Sequence, residues 1–235
     1  MIHNPNNSIK PNTFPAVAEN YRLIQEDIIA TALRYNRDPA EITLIGVSKG
    51  YTWGHTQSAY AAGCRDFGES RIQEALPKIE EAPGDIEWHM IGSLQKNKVK
   101  KAIGRFVLIH SVDNLDLAQK ISECSEDVGL VTPILLEVNT SGEMTKHGLD
   151  EENWRHSFDL LLKLPGIKLE GLMTMAPFID DEITVRRCFA RLRQFRNELA
   201  LRGSGRHLSM GMTHDYRWAI AEGATYLRIG RGIFK

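Results

Sequence analysis

Cysteine is scarce in this chain of 235 residues: Cys64, Cys124 and Cys188 are far apart and odd in number. That excludes a disulfide framework and any paired-cysteine metal motif, and makes the three small core residues of a reducing compartment. Net charge is nearly absent as well. The 29 Lys and Arg against 30 Asp and Glu leave −1 at neutral pH, so no global field argues for nucleic acid or an anionic membrane. A local run, Arg186, Arg187, Arg191, Arg193 and Arg196, falls at helical spacing and reads as a solvated face. No apolar stretch is long enough to cross a membrane, and the start of the chain lacks the charged-then-apolar pattern of a signal peptide. Also missing are a Walker phosphate loop, a glycine-rich dinucleotide fingerprint, HExxH and a serine-hydrolase elbow. These absences predict a cytoplasmic protein without a metal site, a nucleic-acid partner or a membrane partner.

What is present is an alternating pattern. Residues 1–15 are polar, with several Asn and three Pro, and read as a flexible tail; residues 16–235 read as one domain, 42% of the chain being hydrophobic. Val17, Tyr21, Ile24 and Ile28 recur at three- and four-residue steps, as on an amphipathic helix. Strand patterns then fall at 42–48, 64–68, 86–91, 106–110, 133–139, 167–173, 207–210 and 225–229. Helical patterns fall at 55–62, 71–79, 115–124, 151–164, 183–201 and 215–222, with a short helix expected from Lys96. Asp113-Asn114 reads as a helix cap. Eight strands alternating with helices predict an α/β fold, a (β/α)8 TIM barrel.

In such a barrel, chemistry gathers where strands end. The first strand runs apolar from Ile42 to Ser48 and stops at Lys49-Gly50. Burial of that ammonium would favour the neutral amine needed to condense with an aldehyde. The seventh strand ends in Ser209-Met210-Gly211-Met212-Thr213 and the eighth in Arg228-Ile229-Gly230-Arg231-Gly232. Barrels commonly hold phosphate after these two strands, and Thr213 is placed to cap the helix that follows. Arg228 interrupts an apolar strand and needs a partner, either a carboxylate such as Glu69 or Asp215, or a ligand's ring nitrogen. Amine, phosphate cradle and buried cation together point to pyridoxal 5'-phosphate. His89, alone in an apolar strand, reads as a core or lining histidine, and Met173, Met175 and Met210 as barrel filling.

With these residues assembled, the chain resembles the pyridoxal phosphate homeostasis protein family. The resemblance is carried by Val47-Ser48-Lys49, by Ala61 through Glu69, and by Trp88-His89-Met90-Ile91-Gly92-Ser93-Leu94-Gln95. Gly171 through Met175, Leu208 through Met212 and Arg228 through Phe234 complete it, so that it spans about 42–234. It implies a monomeric barrel similar to the N-terminal domain of alanine racemase, Lys49 as the Schiff-base lysine, and Arg228 facing the pyridine nitrogen. It also implies a phosphate held by Met212, Thr213, Gly230 and Arg231, largely through backbone N–H groups. Ser209 and Ser70 complete the expected cofactor-binding set. Ser70 stands where the family has Asn, Thr213 where Ser is common, and Arg231 where many members have Thr; the chain ends at Lys235, where the family commonly runs on.

By this resemblance the protein is a non-catalytic carrier that takes part in vitamin B6 and amino-acid homeostasis, with PLP-dependent apoenzymes as partners. An alanine racemase needs acid–base groups on both faces of the cofactor, and no second domain that would bring one is expected here. The rival readings are a low-activity PLP-dependent racemase or decarboxylase, and a barrel lyase or isomerase that uses Lys49 on a phosphorylated metabolite.

Overall fold

The computed structural model describes residues 14–143, 147–200 and 205–235. Eight parallel strands close into a barrel in sequence order: β1 (Thr43–Val47), β2 (Asp66–Glu69), β3 (Glu87–Met90), β4 (Leu108–Val112), β5 (Thr132–Glu137), β6 (Ile167–Met173), β7 (His207–Ser209) and β8 (Tyr226–Ile229). The ring closes through β1 and β8, with Ile45 opposite Arg228 and Gly46 opposite Ile229. The (β/α)8 expectation is met. The second strand starts two residues later than the sequence pattern places it, because Cys64 and Arg65 belong to the turn before it; the Cys64 thiol donates to the Asp66 carbonyl.

The helices are α1 (Pro15–Arg34), α2 (Trp53–Ala61), α3 (Ile72–Glu81), α4 (Val99–Ala102), α5 (Leu115–Glu126), α6 (Glu151–Leu161), α7 (Glu182–Ala200), α8 (Tyr216–Ala221) and α9 (Arg231–Phe234). The expected polar tail, 1–15, lies outside the described residues as far as position 13, and Pro15 opens α1. The seventh helical pattern ran to residue 201, which is also outside them. The short helix expected from Lys96 is a 3-10 turn, Lys96–Lys98, that runs into α4. Asn114 caps α5, its side chain accepting from the Leu117 N–H at 2.8 Å. The helix after β8, α9, has only four residues, and α1 packs against it and against α2 and α8, completing the outer ring at the β8–β1 closure.

The main apolar core lies between strands and helices, where Trp154, Phe158, Phe189 and Phe195 are almost fully buried. Each such side chain contributes roughly 1.5–3 kcal/mol by leaving water. Inside the barrel the filling is different. Leu108, Leu135 and Met173 form a small separate cluster with Tyr226. Alternation along the strands turns His89, His110, Ser209 and Arg228 to that same side, so much of the barrel centre is polar. Met173 fills the barrel as expected; Met210 is buried in the outer core instead, because Ser209 before it turns inward; Met175 is exposed, because it lies past the end of β6, and it lines the mouth.

The arginine run on α7 is not simply a solvated face. Arg186 and Arg193 both reach Glu222, at 2.8 and 2.7 Å, and Arg191 reaches Glu151 at 2.8 Å, tying α7 to its neighbours. Cys64, Cys124 and Cys188 are buried free thiols, and burial pushes the Cys64 thiol up to about 12. Among the described residues no helix is long and apolar enough to cross a membrane.

Candidate functional site

The polar ends of the strands collect at one end of the barrel. Lys49 stands two residues past β1, in a turn that Gly50 completes with φ +80°. It lines a cavity of about 780 Å³ together with Ser70, Gly92, Glu137, His147 and Met175. The expectation of a sheltered amine is corrected: the Lys49 side chain is exposed, because the strand has already ended and the turn carries it out over the mouth. The backbone beneath it is fixed. Glu69, fully buried at the end of β2, accepts from the Ser48 hydroxyl and from Lys78 Nζ, both at 2.5 Å, and Lys78 also donates to the Ser48 carbonyl at 2.7 Å. Glu69 Oε2 has no partner among the described residues. Lys78 comes from α3, and nothing in its helical sequence context marks it as part of this site.

Gly92, just after β3, shows how tightly the mouth is built. A Cβ there would lie 2.4 Å from the Ser70 carbonyl oxygen, so only glycine lets the two loops touch.

Arg228 is only 5% exposed. Its Nη1 donates to Ser209 Oγ at 2.5 Å and its Nη2 to the Thr174 carbonyl at 2.9 Å, while Nε has no acceptor among the described residues. Of the two partners anticipated, neither Glu69 nor Asp215 makes a direct ion pair with it. Burial pushes the guanidinium down to about 10, with Glu137 and Asp215 nearby acting in the opposite sense. Glu137, at the mouth end of β5, lines the same cavity as Lys49 and was not singled out from the sequence. Burial, with Asp113 close by, raises its carboxyl to about 7, against the pull of Arg228 and His147. Its signal was available: like Lys49, it is a charge that ends an apolar run, here Ile134-Leu135-Leu136.

The loops after β7 and β8 form the other wall. Thr213 is not the cap of α8. Asp215 holds that position, and its carboxylate folds back to accept from the Met212 N–H at 2.5 Å. The Thr213 hydroxyl accepts from the Gly232 N–H at 3.3 Å. The Met212 and Gly232 N–H groups are therefore occupied, whereas those of Thr213 and Arg231 have no acceptor among the described residues. Gly211, with φ +94°, makes the turn into this loop; a Cβ there would sit 2.6 Å from the Ala219 Cβ. Arg231 is exposed and lies over the Phe178 ring, 6.0 Å from its centroid. Gly230 rests against Val47, its would-be Cβ 3.3 Å from the Val47 carbonyl oxygen, which joins this wall to the strand that carries Lys49.

The groups at this end of the barrel are a primary amine at the mouth, unpaired backbone donors with an exposed arginine beside them, and a buried guanidinium whose Nε–H has no acceptor among the described residues. An aldehyde-bearing, phosphorylated pyridine fits that donor set.

Known proteins give an independent comparison. The family model for the alanine racemase N-terminal domain matches residues 16–235. A pyridoxal phosphate homeostasis protein of Aquifex aeolicus is 43% identical over 194 residues, covering 81% of this chain and 85% of its own length. Its counterpart in Pseudomonas aeruginosa is 39% identical over 220 residues, covering 93% and 94%. Among solved structures, PipY of Synechococcus elongatus with PLP bound superposes with a TM-score of 0.82 at 33% identity, covering 93% of this chain and 100% of that one. An alanine racemase of Clostridium difficile shares the fold, with a TM-score of 0.72 at 19% identity over 92% of this chain and 56% of its own.

Proposed function

The chain belongs to the pyridoxal phosphate homeostasis protein family, and we propose that it binds pyridoxal 5'-phosphate at the barrel mouth and carries it as a Schiff base on Lys49. The observation that carries this reading is the convergence of Lys49, Arg228 and the β7–β8 loops on one end of the barrel, in a chain 33% identical to a protein solved with PLP bound. When bound, the cofactor supplies an aldehyde that condenses with a primary amine. Lys49 provides that amine, and the Glu69–Lys78 pair holds the end of β1 beneath it. Thr213 and Arg231 offer backbone N–H groups to the phosphate, with the Arg231 guanidinium and the Thr213 hydroxyl beside them. Gly230 and Met212 shape the loop around it. Arg228 Nε faces the ring nitrogen, its two terminal nitrogens being anchored by Ser209 and Thr174. Ser70, in the loop after β2, lines the cavity with the amine.

In this role the protein is a cytoplasmic, monomeric, non-catalytic carrier that exchanges the cofactor with PLP-dependent apoenzymes. Its exposed lysine supports exchange: an amine or a water molecule can reach the bond without the barrel opening. The test is borohydride reduction of the protein loaded with pyridoxal phosphate, followed by peptide mapping. The label is expected on Lys49 and is lost in Lys49→Ala, with the fold intact by circular dichroism. A label of full yield in that variant overturns the assignment.

One observation favours a second reading. Glu137 titrates near neutrality in the same cavity as Lys49, as a general acid–base group should. A weak racemase or decarboxylase would exchange the α-proton of an amino acid with deuterium or release carbon dioxide, and either activity would disappear in Glu137→Gln.

A further inference from the structure

A line of polar side chains runs through the barrel from the end opposite the mouth. It begins at Asp66 on β2 and passes His89 on β3, His110 on β4 and Ser209 on β7 to Arg228 on β8. His89 Nε2 lies 3.0 Å from Asp66 Oδ1, and His89 Nδ1 lies 3.0 Å from His110 Nε2. His110 Nδ1 lies 2.8 Å from Ser209 Oγ, which also accepts from Arg228 Nη1. His89, His110 and Ser209 are buried. The Asp66 side chain is 30% exposed and borders a cavity of about 350 Å³ at that end, lined also by Glu87, Glu170, Arg206 and His207.

When both imidazoles are neutral, the chemistry of the two ends fixes the sense of every bond between them. A guanidinium only donates and a carboxylate only accepts, while a neutral imidazole does one of each. His110 is neutral, because burial and the nearby His89, Arg228 and His207 hold it well below the usual histidine range. With a neutral His89 donating from Nε2 to Asp66, its Nδ1 accepts from the His110 Nε2–H. His110 Nδ1 must then accept from the Ser209 hydroxyl, and Ser209 Oγ accepts from Arg228. Every bond then points the same way, from Arg228 toward Asp66. If His89 took a proton from solvent at the Asp66 end, both of its nitrogens would donate. His110 would have to switch tautomer and donate to Ser209 from Nδ1, turning the serine proton away. The Tyr226 ring lies against both imidazoles inside the barrel, 5.7 and 5.4 Å between centroids.

We propose that Asp66, His89, His110 and Ser209 are positioning residues for Arg228, holding its guanidinium toward the cofactor's ring nitrogen through one directed chain of hydrogen bonds. A change at Asp66, at the far end of the barrel, is therefore felt at the cofactor. This rests on the assignment of Arg228 to the ring nitrogen of pyridoxal phosphate, and the test separates the two.

The first measurement is 15N NMR of the imidazoles in the full chain without added cofactor. At neutral pH His110 should carry its proton on Nε2 and none on Nδ1; a proton on Nδ1 overturns the proposal, and no variant is needed to see it. The second is the absorbance of bound pyridoxal phosphate across pH in wild type, Asp66→Ala and Asp66→Asn. Asp66→Ala should shift the spectrum and its pH profile and weaken cofactor retention roughly tenfold, the equivalent of one charge-assisted hydrogen bond. Asp66→Asn, which keeps an acceptor oxygen, should restore part of the shift. A folded Asp66→Ala protein with the wild-type spectrum and profile overturns the proposal. A wild-type protein that takes up no pyridoxal phosphate overturns the cofactor reading and with it the purpose given to Arg228, while the NMR result still decides the direction of the chain.

Discussion

Two residues carry charges that end apolar strands at the mouth, and their surroundings differ. Lys49 reaches past its strand into the open cavity, whereas Glu137 remains within β5 and is buried. A carboxyl raised to about 7 binds its proton more tightly in the folded chain than in the unfolded one, where the ordinary value is 4.5. Its contribution to stability is therefore present below about 4.5 and is lost as pH rises through 7. Glu137→Gln should accordingly be more stable than wild type at pH 8, by an upper figure of ~3 kcal/mol, with the gap closing by about pH 5. Urea unfolding at the two pH values measures it, and an equal gap at both would refute the burial argument.

At the scale of elements, the strand ends were legible in the sequence because each is an apolar run stopped by a polar or glycine residue. Lys49 and Ser209 were singled out by that rule, and Arg228 by the apolar strand that it interrupts. What it does not convey is the partner of each group. Lys78 acts from a helix whose pattern is ordinary, and the Asp66–His89–His110 line needs three strands in register before its members meet. The N-cap reading of Thr213 failed for a local reason: Asp215, two residues on, is the stronger acceptor and takes the Met212 N–H. The loop that results depends on Gly211. Gly211→Ala places a methyl 2.6 Å from the Ala219 Cβ at φ +94°, a strain of about 1–3 kcal/mol. It should weaken retention of pyridoxal phosphate about tenfold or more while leaving the Lys49 label site unchanged, as equilibrium titration and peptide mapping would show.

The molecule as a whole hides a basic group in its polar centre. His110 is held neutral, so the unfolded chain, with an ordinary value of 6.5, takes a proton that the folded chain refuses. Stability from this source is complete above about 6.5 and falls as the solution becomes more acid, by roughly 1.4 kcal/mol per pH unit. Glu137 acts in the opposite sense between 4.5 and 7, so the two offset each other in wild type. Unfolding curves at pH 5, 6 and 7 should therefore be nearly level for wild type and fall steeply for Glu137→Gln. A steep fall in both would mean that Glu137 is already ionised across that range.

Closure of the barrel has a consequence for how the site comes into being. Arg228 pairs in register with Ile45, so the first and last strands of the ring form a single seam. Joining segments so distant in sequence carries an entropic cost that contacts between neighbouring strands do not. In the proposed complex, the amine and the guanidinium share one ligand only after that seam has zipped. On that proposal a half-made barrel does not hold pyridoxal phosphate, and the free energy that the ligand contributes is concentrated on keeping the last join shut.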